Sequence, residues 1–329
     1  MKQKHVIIKD TLLYSGANYI TIVIGFVVSI FSKRVLGVSG AGCWALLSVI
    51  LLYGMYISLG IKNALYREVP QCIGAKEVVK AGKIQNVTFS YLIVVSLVGS
   101  VVIWILSFTF FTDPLLKTGV KIVAVLVFVT QMYNLVLTIL RARKQISIVS
   151  KVVVFNSLFI AVFALPGAFL FNVNGFAAGM VVSTALSFYF AKRWGNIRFS
   201  LEFDLVQIWH LLKIGLAIFL SGILYRTFLN IDKIMIGKML GLEQLGLYTI
   251  GLMAVSQIGS LPRFFSIVIF PHIQEKYGAT KDVMDIKSMI LKPTYLISRL
   301  VPILLGVIIF LVQPIVLYVL PQFKDGLDV

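Results

Sequence analysis

The sequence has few of the side chains that catalysis or metal binding would require. Its 329 residues include only two cysteines, three histidines and 13 acidic residues. Cys43 and Cys72 fall near opposite ends of one apolar block, which argues against a disulfide, and the histidines lack metal-ligand spacing. There is no nucleotide-binding loop and no long polar segment to form a nucleotide-binding domain. We therefore expect that the protein is not an enzyme and binds no cofactor. Any energy that it uses would come from an ion gradient, the substrate gradient or the membrane potential.

Apolar residues dominate the chain instead. They make up 59% of it, and the mean hydropathy is +0.96. The apolar blocks are long enough for helices that cross about 30 Å of hydrocarbon, whereas barrel strands would be shorter and strictly alternating. The predicted fold is therefore an all-α polytopic membrane protein. The predicted spans are Thr11–Phe31, Gly42–Ile61, Val87–Phe111, Val120–Leu140, Val152–Phe171, Gly175–Phe190, Ile214–Met239, Leu245–Leu261 and Tyr295–Leu320.

The net charge of +17 does not indicate nucleic-acid binding, because of where the charges lie. If the N-terminus is cytoplasmic, Lys and Arg concentrate in the cytoplasmic loops, such as Lys62–Lys83 and Arg263–Lys292. The external loops carry fewer. This distribution follows the positive-inside rule. We predict a multi-pass protein of the bacterial cytoplasmic membrane, with a cytoplasmic N-terminus and basic loops that contact anionic lipid headgroups.

An internal repeat relates two parts of the chain. Arg34–Trp44 reads RVLGVSGAGCW and Lys238–Tyr248 reads KMLGLEQLGLY, at an offset of 204 residues. The shared glycines are typical of a tight turn that needs positive φ. Both copies join the first and second helix of a set, which predicts two like-oriented lobes related by an axis along the membrane normal. The predicted division is a six-helix N-terminal lobe at 1–190, a cytoplasmic linker at 191–213 and a partial C-terminal lobe of about three helices at 214–329.

A polar stripe runs along one face of the first predicted span, at helical spacing. It comprises Tyr14, Asn18, Thr21, Gly25, Ser29 and Ser32. The stripe is either one wall of a water-filled cleft or a line of small residues that packs helices together.

A cationic stripe is predicted along one face of the seventh span, at helical spacing. It comprises Gly222, Arg226, Asn230, Lys233 and Gly237. An Arg near the midplane favours an anion as ligand, unless it forms an ion pair with an acid. Arg34 and Arg299 are further candidates for binding an anionic headgroup. Asp232 lies on a different face, and it would bind Na⁺, carry a proton or form an ion pair near the interface.

Three stretches carry a resemblance to a known family: Tyr14–Tyr19, Arg34–Gly42 and Leu229–Tyr248. They resemble the polysaccharide-transporter branch of the multidrug/oligosaccharidyl-lipid/polysaccharide (MOP) exporter superfamily, which includes Wzx-type flippases. The resemblance implies a MATE-like pair of helical lobes around a central cavity. It also implies alternating-access transport of undecaprenyl-pyrophosphate-linked oligosaccharide for O-antigen, capsule or exopolysaccharide, beside a polymerase or other assembly machinery. In related lipid II flippases an acid on helix 7 joins a cation site, which would make Asp232 the residue that couples transport to Na⁺ or H⁺.

The sequence leaves three alternatives to this function. A MATE-like exporter of drugs or small cations would need an acidic, aromatic cavity, whereas basic residues predominate here. A membrane-embedded glycosyltransferase or polymerase would need a large external loop or an acidic catalytic site. The family usually has 12 to 14 helices, so an inactive truncated remnant is the remaining alternative.

Overall fold

The computed structural model describes residues 2–74 and 77–252, and part of the region 284–327 (284, 287, 291, 294–295, 298–299, 301–303, 305–306, 310 and 313–327). Side chains are described from residue 13 onward, except those of 15, 217–218, 221 and 226. The described residues are almost entirely helical and include no strand, which confirms the all-α prediction. The helices are α1 (Lys2–Gly54), α2 (Ile61–Gly74), α3 (Val78–Phe110), α4 (Pro114–Ala142), α5 (Ile146–Phe159), α6 (Leu165–Trp194), α7 (Leu205–Phe228) and α8 (Ile231–Met239). Residues 241–252 are also helical.

Four of the described stretches are long and apolar enough to cross a membrane, as predicted for a multi-pass protein. They are Gly16–Ser58, Val78–Phe110, Pro114–Ala142 and Ile146–Trp194. The first and the last each contain two predicted spans, joined by a sharp turn rather than by a loop. The first turns at Gly37, where φ is 70°, and the last turns at Asn172, where φ is 54°. We call the end of the bundle that holds these turns the turn end, and the other the opposite end.

The seventh predicted span, Ile214–Met239, is not one helix, so the prediction of a continuous stripe there is wrong. The amide groups of Leu229 and Asn230 close the last turn of α7, and α8 begins at Ile231. The Asn230 side chain accepts a hydrogen bond from Lys233 Nζ at 2.8 Å. Asn favours helix ends because its amide competes with backbone hydrogen bonding. Arg226 and Lys233 therefore lie on separate helices.

The basic segment 62–83 was predicted to be a loop, and this too is wrong. Most of it forms α2 and the first turns of α3, separated by a short break near Glu77. Helix α2 is amphipathic, because Leu65, Val69 and Cys72 recur at helical spacing and are buried against the bundle. Cys43 and Cys72 are both buried and free.

Helix α4 lies at the centre of the first six predicted spans. Leu135, Val136 and Ile139 on this helix are fully buried. Gln131 is also fully buried, and it accepts a hydrogen bond from Lys62 Nζ at 2.5 Å. Its amide nitrogen donates to the carbonyl of Met55 at 2.9 Å, at the end of the second predicted span. These bonds fix the spans around α4, and so they position the face of α1 described below.

The connection between α6 and α7 ends at Asp204, a helix cap. Helix α6 runs to Trp194 and α7 begins at Leu205, so the helix-free segment is shorter than the predicted linker 191–213. The Asp204 carboxylate accepts a hydrogen bond from the Gln207 amide at 2.9 Å and pairs with Lys83 Nζ at 2.7 Å. Both interactions favour its charged form, so they lower its pKa below the ordinary value of 3.8. The cap therefore ties α7 to α3.

We predict that Asp204→Ala lowers the thermal unfolding midpoint of the detergent-solubilised protein by a few degrees, because it removes the cap and the ion pair. Asp204→Asn, which keeps a capping oxygen, should lose less. The pKa of Asp204 is lower when folded, so its stabilisation is complete above pH 3.8 and is lost as the pH falls through the folded value. Equal midpoints for Asp204→Ala and wild type at neutral pH would contradict this role.

Candidate functional site

The two copies of the repeat meet at the turn end of the bundle. Gly37 has a φ of 70° and Gly241, its equivalent at the offset of 204, has a φ of 89°. The prediction of positive φ is therefore confirmed for this pair, whereas it is wrong for the second shared pair, Gly42 and Gly246. A β-carbon on Gly42 would collide with the carbonyl oxygen of Leu242. The equivalent contact is present as well, since a β-carbon on Gly246 would collide with the carbonyl oxygen of Val38.

These two contacts exchange when 204 is added to or subtracted from the residue numbers. Gly42 becomes Gly246, and Leu242 becomes Val38. The two copies therefore pack against each other around a local pseudo-two-fold axis. This geometry is what the repeat predicts for two like-oriented lobes, although the lobe boundaries themselves stay a prediction.

A cavity of about 430 Å³, which we call the polar cavity, lies beside this contact. Three pairs of its lining residues are repeat equivalents of each other, so the pseudo-symmetry extends into its wall. The pairs are Ser29 with Lys233, Ala45 with Thr249, and Ser48 with Leu252. The cavity therefore lies where the two copies of the repeat face each other.

Two lysines give the polar cavity its charge. Lys33 Nζ donates to Ser29 Oγ at 3.3 Å, and Lys233 Nζ donates to Asn230 Oδ1 at 2.8 Å. Both lysines are half-buried. The described lining contains no acidic residue. The arrangement therefore attracts an anion and repels a cation.

Four hydroxyl groups line the polar cavity as well, and three of them already donate to carbonyls of their own helix. Ser32 donates to the carbonyl of Ser29 at 3.0 Å, Ser48 to that of Ala45 at 2.6 Å, and Thr249 to that of Gly246 at 2.6 Å. The two ammonium groups are thus the strongest donors available to a ligand in this state. A guanidinium or ammonium bound to an oxyanion makes the stronger, charge-assisted kind of hydrogen bond.

Asp232 lies next to Lys233 but does not line the polar cavity. One carboxylate oxygen accepts from the Tyr248 hydroxyl at 2.5 Å, and the other accepts from the Lys233 amide at 2.8 Å. Tyr248 is the repeat equivalent of Trp44. No group of three or more potential metal ligands occurs in the described part of the chain. A role for Asp232 in cation coupling stays a prediction.

The remaining predicted site residues lie elsewhere. Tyr14 packs against the core, while Asn18 and Thr21 donate hydrogen bonds to carbonyls of their own helix. Arg34 and Arg299 are exposed and do not line the polar cavity. Of the first stripe, only the part nearest the turn end, Gly25, Ser29 and Ser32, lines the cavity. The side chain of Arg226 lies outside the described part of the structure.

Sequence reasoning missed three residues with a hydroxyl or ammonium group that line the polar cavity: Lys33, Ser48 and Thr249. Lys33 was assigned to an external loop, yet it follows Ser29 by one helical turn and so continues the predicted stripe. The repeat offset relates Ser48 and Thr249 to Leu252 and Ala45, which also line the cavity. Extending the offset beyond the eleven matched residues would have brought these positions together.

A second contact closes the bundle toward the opposite end. A β-carbon on Gly60 would collide with the carbonyl of Gly215, and one on Gly215 would collide with the carbonyl of Gly60. His210 Nε2 also lies 3.1 Å from Glu68 Oε1, between α7 and α2. Nearer the cavity, the Tyr56 hydroxyl donates to the carbonyl of Gly222 at 3.1 Å. The polar cavity therefore lies between two tight glycine contacts, one toward each end.

Comparison with known proteins then decides the family. The family model described as "Polysaccharide biosynthesis protein" matches residues 69–322, which is most of the chain. The chain belongs to the polysaccharide biosynthesis protein family. No curated protein matches it significantly. This family associates the chain with polysaccharide biosynthesis.

Solved structures show the fold of this polysaccharide biosynthesis protein. A MOP superfamily transporter from Pyrococcus furiosus matches with a TM-score of 0.64 and 15% identity, covering 97% of this chain and 76% of that one. A MATE protein in complex with MaD5 matches with a TM-score of 0.61 and 14% identity, covering 98% and 82%. An outward-facing multidrug resistance MATE transporter matches with a TM-score of 0.55 and 15% identity, covering 97% and 83%. The predicted MATE-like fold is confirmed.

Proposed function

We propose that the protein is a flippase for oligosaccharide repeat units linked to undecaprenyl pyrophosphate, for use in surface polysaccharide synthesis. The polar cavity carries this proposal, because Lys33 and Lys233 converge there without an acid among the described lining residues. A pyrophosphate and its sugars cannot cross about 30 Å of hydrocarbon unaided. Two ammonium groups between the repeats offset the charge of the head while the prenyl tail stays outside the polar cavity.

The volume of the polar cavity indicates which part of the substrate it holds. At about 430 Å³ it is at the small end of the range for small-molecule sites, so it suits a phosphate head and not a whole oligosaccharide. The sugars need a wider opening. We propose that the two glycine contacts separate in turn, so that the substrate enters from the cytoplasmic leaflet and leaves on the outer side.

A MATE-like exporter of cationic drugs is the second candidate. Two half-buried lysines would repel such a substrate, and so the described lining of the cavity favours the flippase. The Pyrococcus furiosus transporter is itself described as having a binding pocket of reversed polarity that suggests a different function.

The test is translocation by the full chain in sealed vesicles, using a fluorescent saccharide linked to a prenyl pyrophosphate. The readout is the fraction of fluorophore protected from a membrane-impermeant quencher. Lys33→Gln/Lys233→Gln should lower the initial rate by roughly 100-fold, because each lost charge-assisted hydrogen bond changes affinity by about tenfold or more. Each single variant should have an intermediate rate.

Lys117→Gln is the matched control, because Lys117 is a turn-end lysine that lies over the Phe108 ring, 5.0 Å from its centroid, outside the polar cavity. It should translocate at the wild-type rate. An unchanged rate in the double variant, or efflux of a cationic dye by the wild type without movement of the pyrophosphate lipid, would overturn the proposal.

A further inference from the structure

An apolar groove of about 900 Å³ adjoins the polar cavity on the other side of the contact between α1 and α8. Its walls come from α1 and the short turn after it between residues 46 and 57, from α3 and Phe111 between residues 99 and 111, and from α8 between residues 234 and 238. Aliphatic and aromatic side chains line it almost throughout. Val102 is 48% exposed in this groove and Phe110 is 74% exposed, so the groove is open along one side.

The groove runs along the bundle from the turn end toward its middle. Leu46, Phe110 and Lys238 line it near the turn end, whereas Ile57 and Gly99 line it at depth. Residues 46 to 57 span about 16 Å at roughly 1.5 Å per helical residue. That length is about half of a hydrocarbon core of roughly 30 Å, so the groove matches the depth of one leaflet.

The groove and the polar cavity share their walls. On α1, Trp44, Ala45 and Ser48 face the cavity while Leu46, Val49 and Ile50 face the groove. On α8, Lys233 faces the cavity and Lys238, about 7 Å further toward the turn end, faces the groove. The wall between them is thin, because Gly237 packs directly on Leu46, with only 2.7 Å from an added β-carbon to a leucine methyl carbon.

Charge identifies the kind of molecule that fits the groove. Lys238 is the one charged residue in the described lining, it is exposed, and it has no ion-pair partner among the described residues. A long apolar surface with a cation at the membrane-interface end is complementary to an amphiphile with an apolar tail and an anionic head. A neutral amphiphile would leave the ammonium without a counter-charge.

We propose that this groove is a binding site for the isoprenoid tail of the lipid-linked substrate, with the phosphate at its head on Lys238. The proposal rests on the proposed function, and it extends that function from the head to the tail. The groove adjoins the polar cavity, and this position indicates which molecule it binds. A head that leaves the polar cavity between α1 and α8 brings its own tail into the groove. With the predicted orientation, the groove lies in the outer leaflet and is the site from which the substrate is released.

The test uses the full chain in phosphatidylcholine vesicles and a prenyl phosphate that carries a photoreactive diazirine on its isoprenoid chain. Irradiation followed by peptide mapping should place the adduct on residues 99–111. Val102→Trp fills the groove and should lower labelling about tenfold. Val101→Trp is the matched control, because Val101 is equally exposed at 48% on the same helix but does not line the groove. It should label like wild type.

Two further experiments test whether the charge of the head contributes to binding and whether the groove prefers a prenyl lipid to an ordinary phospholipid. The protein should be labelled less by the matching prenyl alcohol than by the prenyl phosphate. Lys238→Gln should reduce this difference by roughly two- to fivefold, as expected for the loss of an exposed ion pair. Lys238→Arg should restore the difference. Excess phosphatidic acid should compete weakly. Unchanged labelling in Val102→Trp, or equal competition by phosphatidic acid, would overturn the proposal. If translocation still depended on Lys33 and Lys233, that result would leave the proposed function intact.

Discussion

Gly42→Val is expected to open the turn end of the bundle. The valine side chain would collide with the carbonyl oxygen of Leu242, so the two copies of the repeat could no longer pack as they do. Overpacking of this kind costs about 1–3 kcal/mol, which lowers the ratio of closed to open turn end by roughly 5- to 150-fold. Translocation should fall strongly, because alternating access requires each end to close in turn.

Thiol labelling at Ser48→Cys measures this opening, because Ser48 lines the polar cavity. A membrane-impermeant anionic thiol reagent is added to the turn side of sealed vesicles. Gly42→Val should raise the labelling rate about tenfold or more. The native cysteines are buried and give the background, which is measured without the Ser48→Cys change. Gly16→Val is the control on the same helix, since no atom lies within 4 Å of its added β-carbon. An equal labelling rate in Gly42→Val and Gly16→Val would exclude a closing role for this contact.

Gly215→Val is expected to have the reverse effect. Its side chain would collide with the carbonyl of Gly60, between α7 and the segment that precedes α2. The cost should again be about 1–3 kcal/mol, but here the closed state of the opposite end loses population. Labelling of Ser48→Cys should therefore rise when the reagent is added to the opposite side, and it should not rise on the turn side.

The control for Gly215→Val is Gly222→Val on the same helix, where an added β-carbon has no neighbour within 4 Å. The two valine variants together separate gating from simple loss of stability. A merely destabilised protein would label faster from both sides in both variants. We expect faster labelling from the turn side in Gly42→Val and faster labelling from the opposite side in Gly215→Val. Faster labelling from the same side in both variants would contradict alternating access between these contacts.

The sequence predicts the fold well because long apolar blocks and an eleven-residue repeat are strong signals. The repeat predicted the positive φ of Gly37 and Gly241, because this backbone angle depends only on the local chain geometry. Helix ends within apolar segments were harder to predict. The break at Asn230 depends on a side-chain bond to Lys233, and the helical form of α2 depends on the tertiary burial of Leu65 and Val69.

The candidate site was only partly predictable. Ser29 and Lys233 were both identified, but on separate stripes, and their repeat equivalence was not used to bring them together. Lys33 was missed because a lysine beside a turn is usually part of an exposed loop. Its burial here depends on how α1 packs, which the local sequence does not show. Arg34 and Arg299 carry the same charge as Lys33 but are exposed. No local sequence pattern distinguishes these exposed cations from the half-buried one. Long-range packing, and not residue type, decides which cation faces the cavity.

The central claim is that the polar cavity receives an anionic lipid head. Equilibrium binding of a short-chain prenyl pyrophosphate to the full chain in neutral-lipid nanodiscs tests this directly, beside a prenyl trimethylammonium of equal chain length. We expect the pyrophosphate to bind and the ammonium compound not to bind. Lys33→Gln/Lys233→Gln should weaken pyrophosphate binding by roughly 100-fold. Tighter binding of the ammonium compound, or equal pyrophosphate affinity in wild type and double variant, would contradict the account.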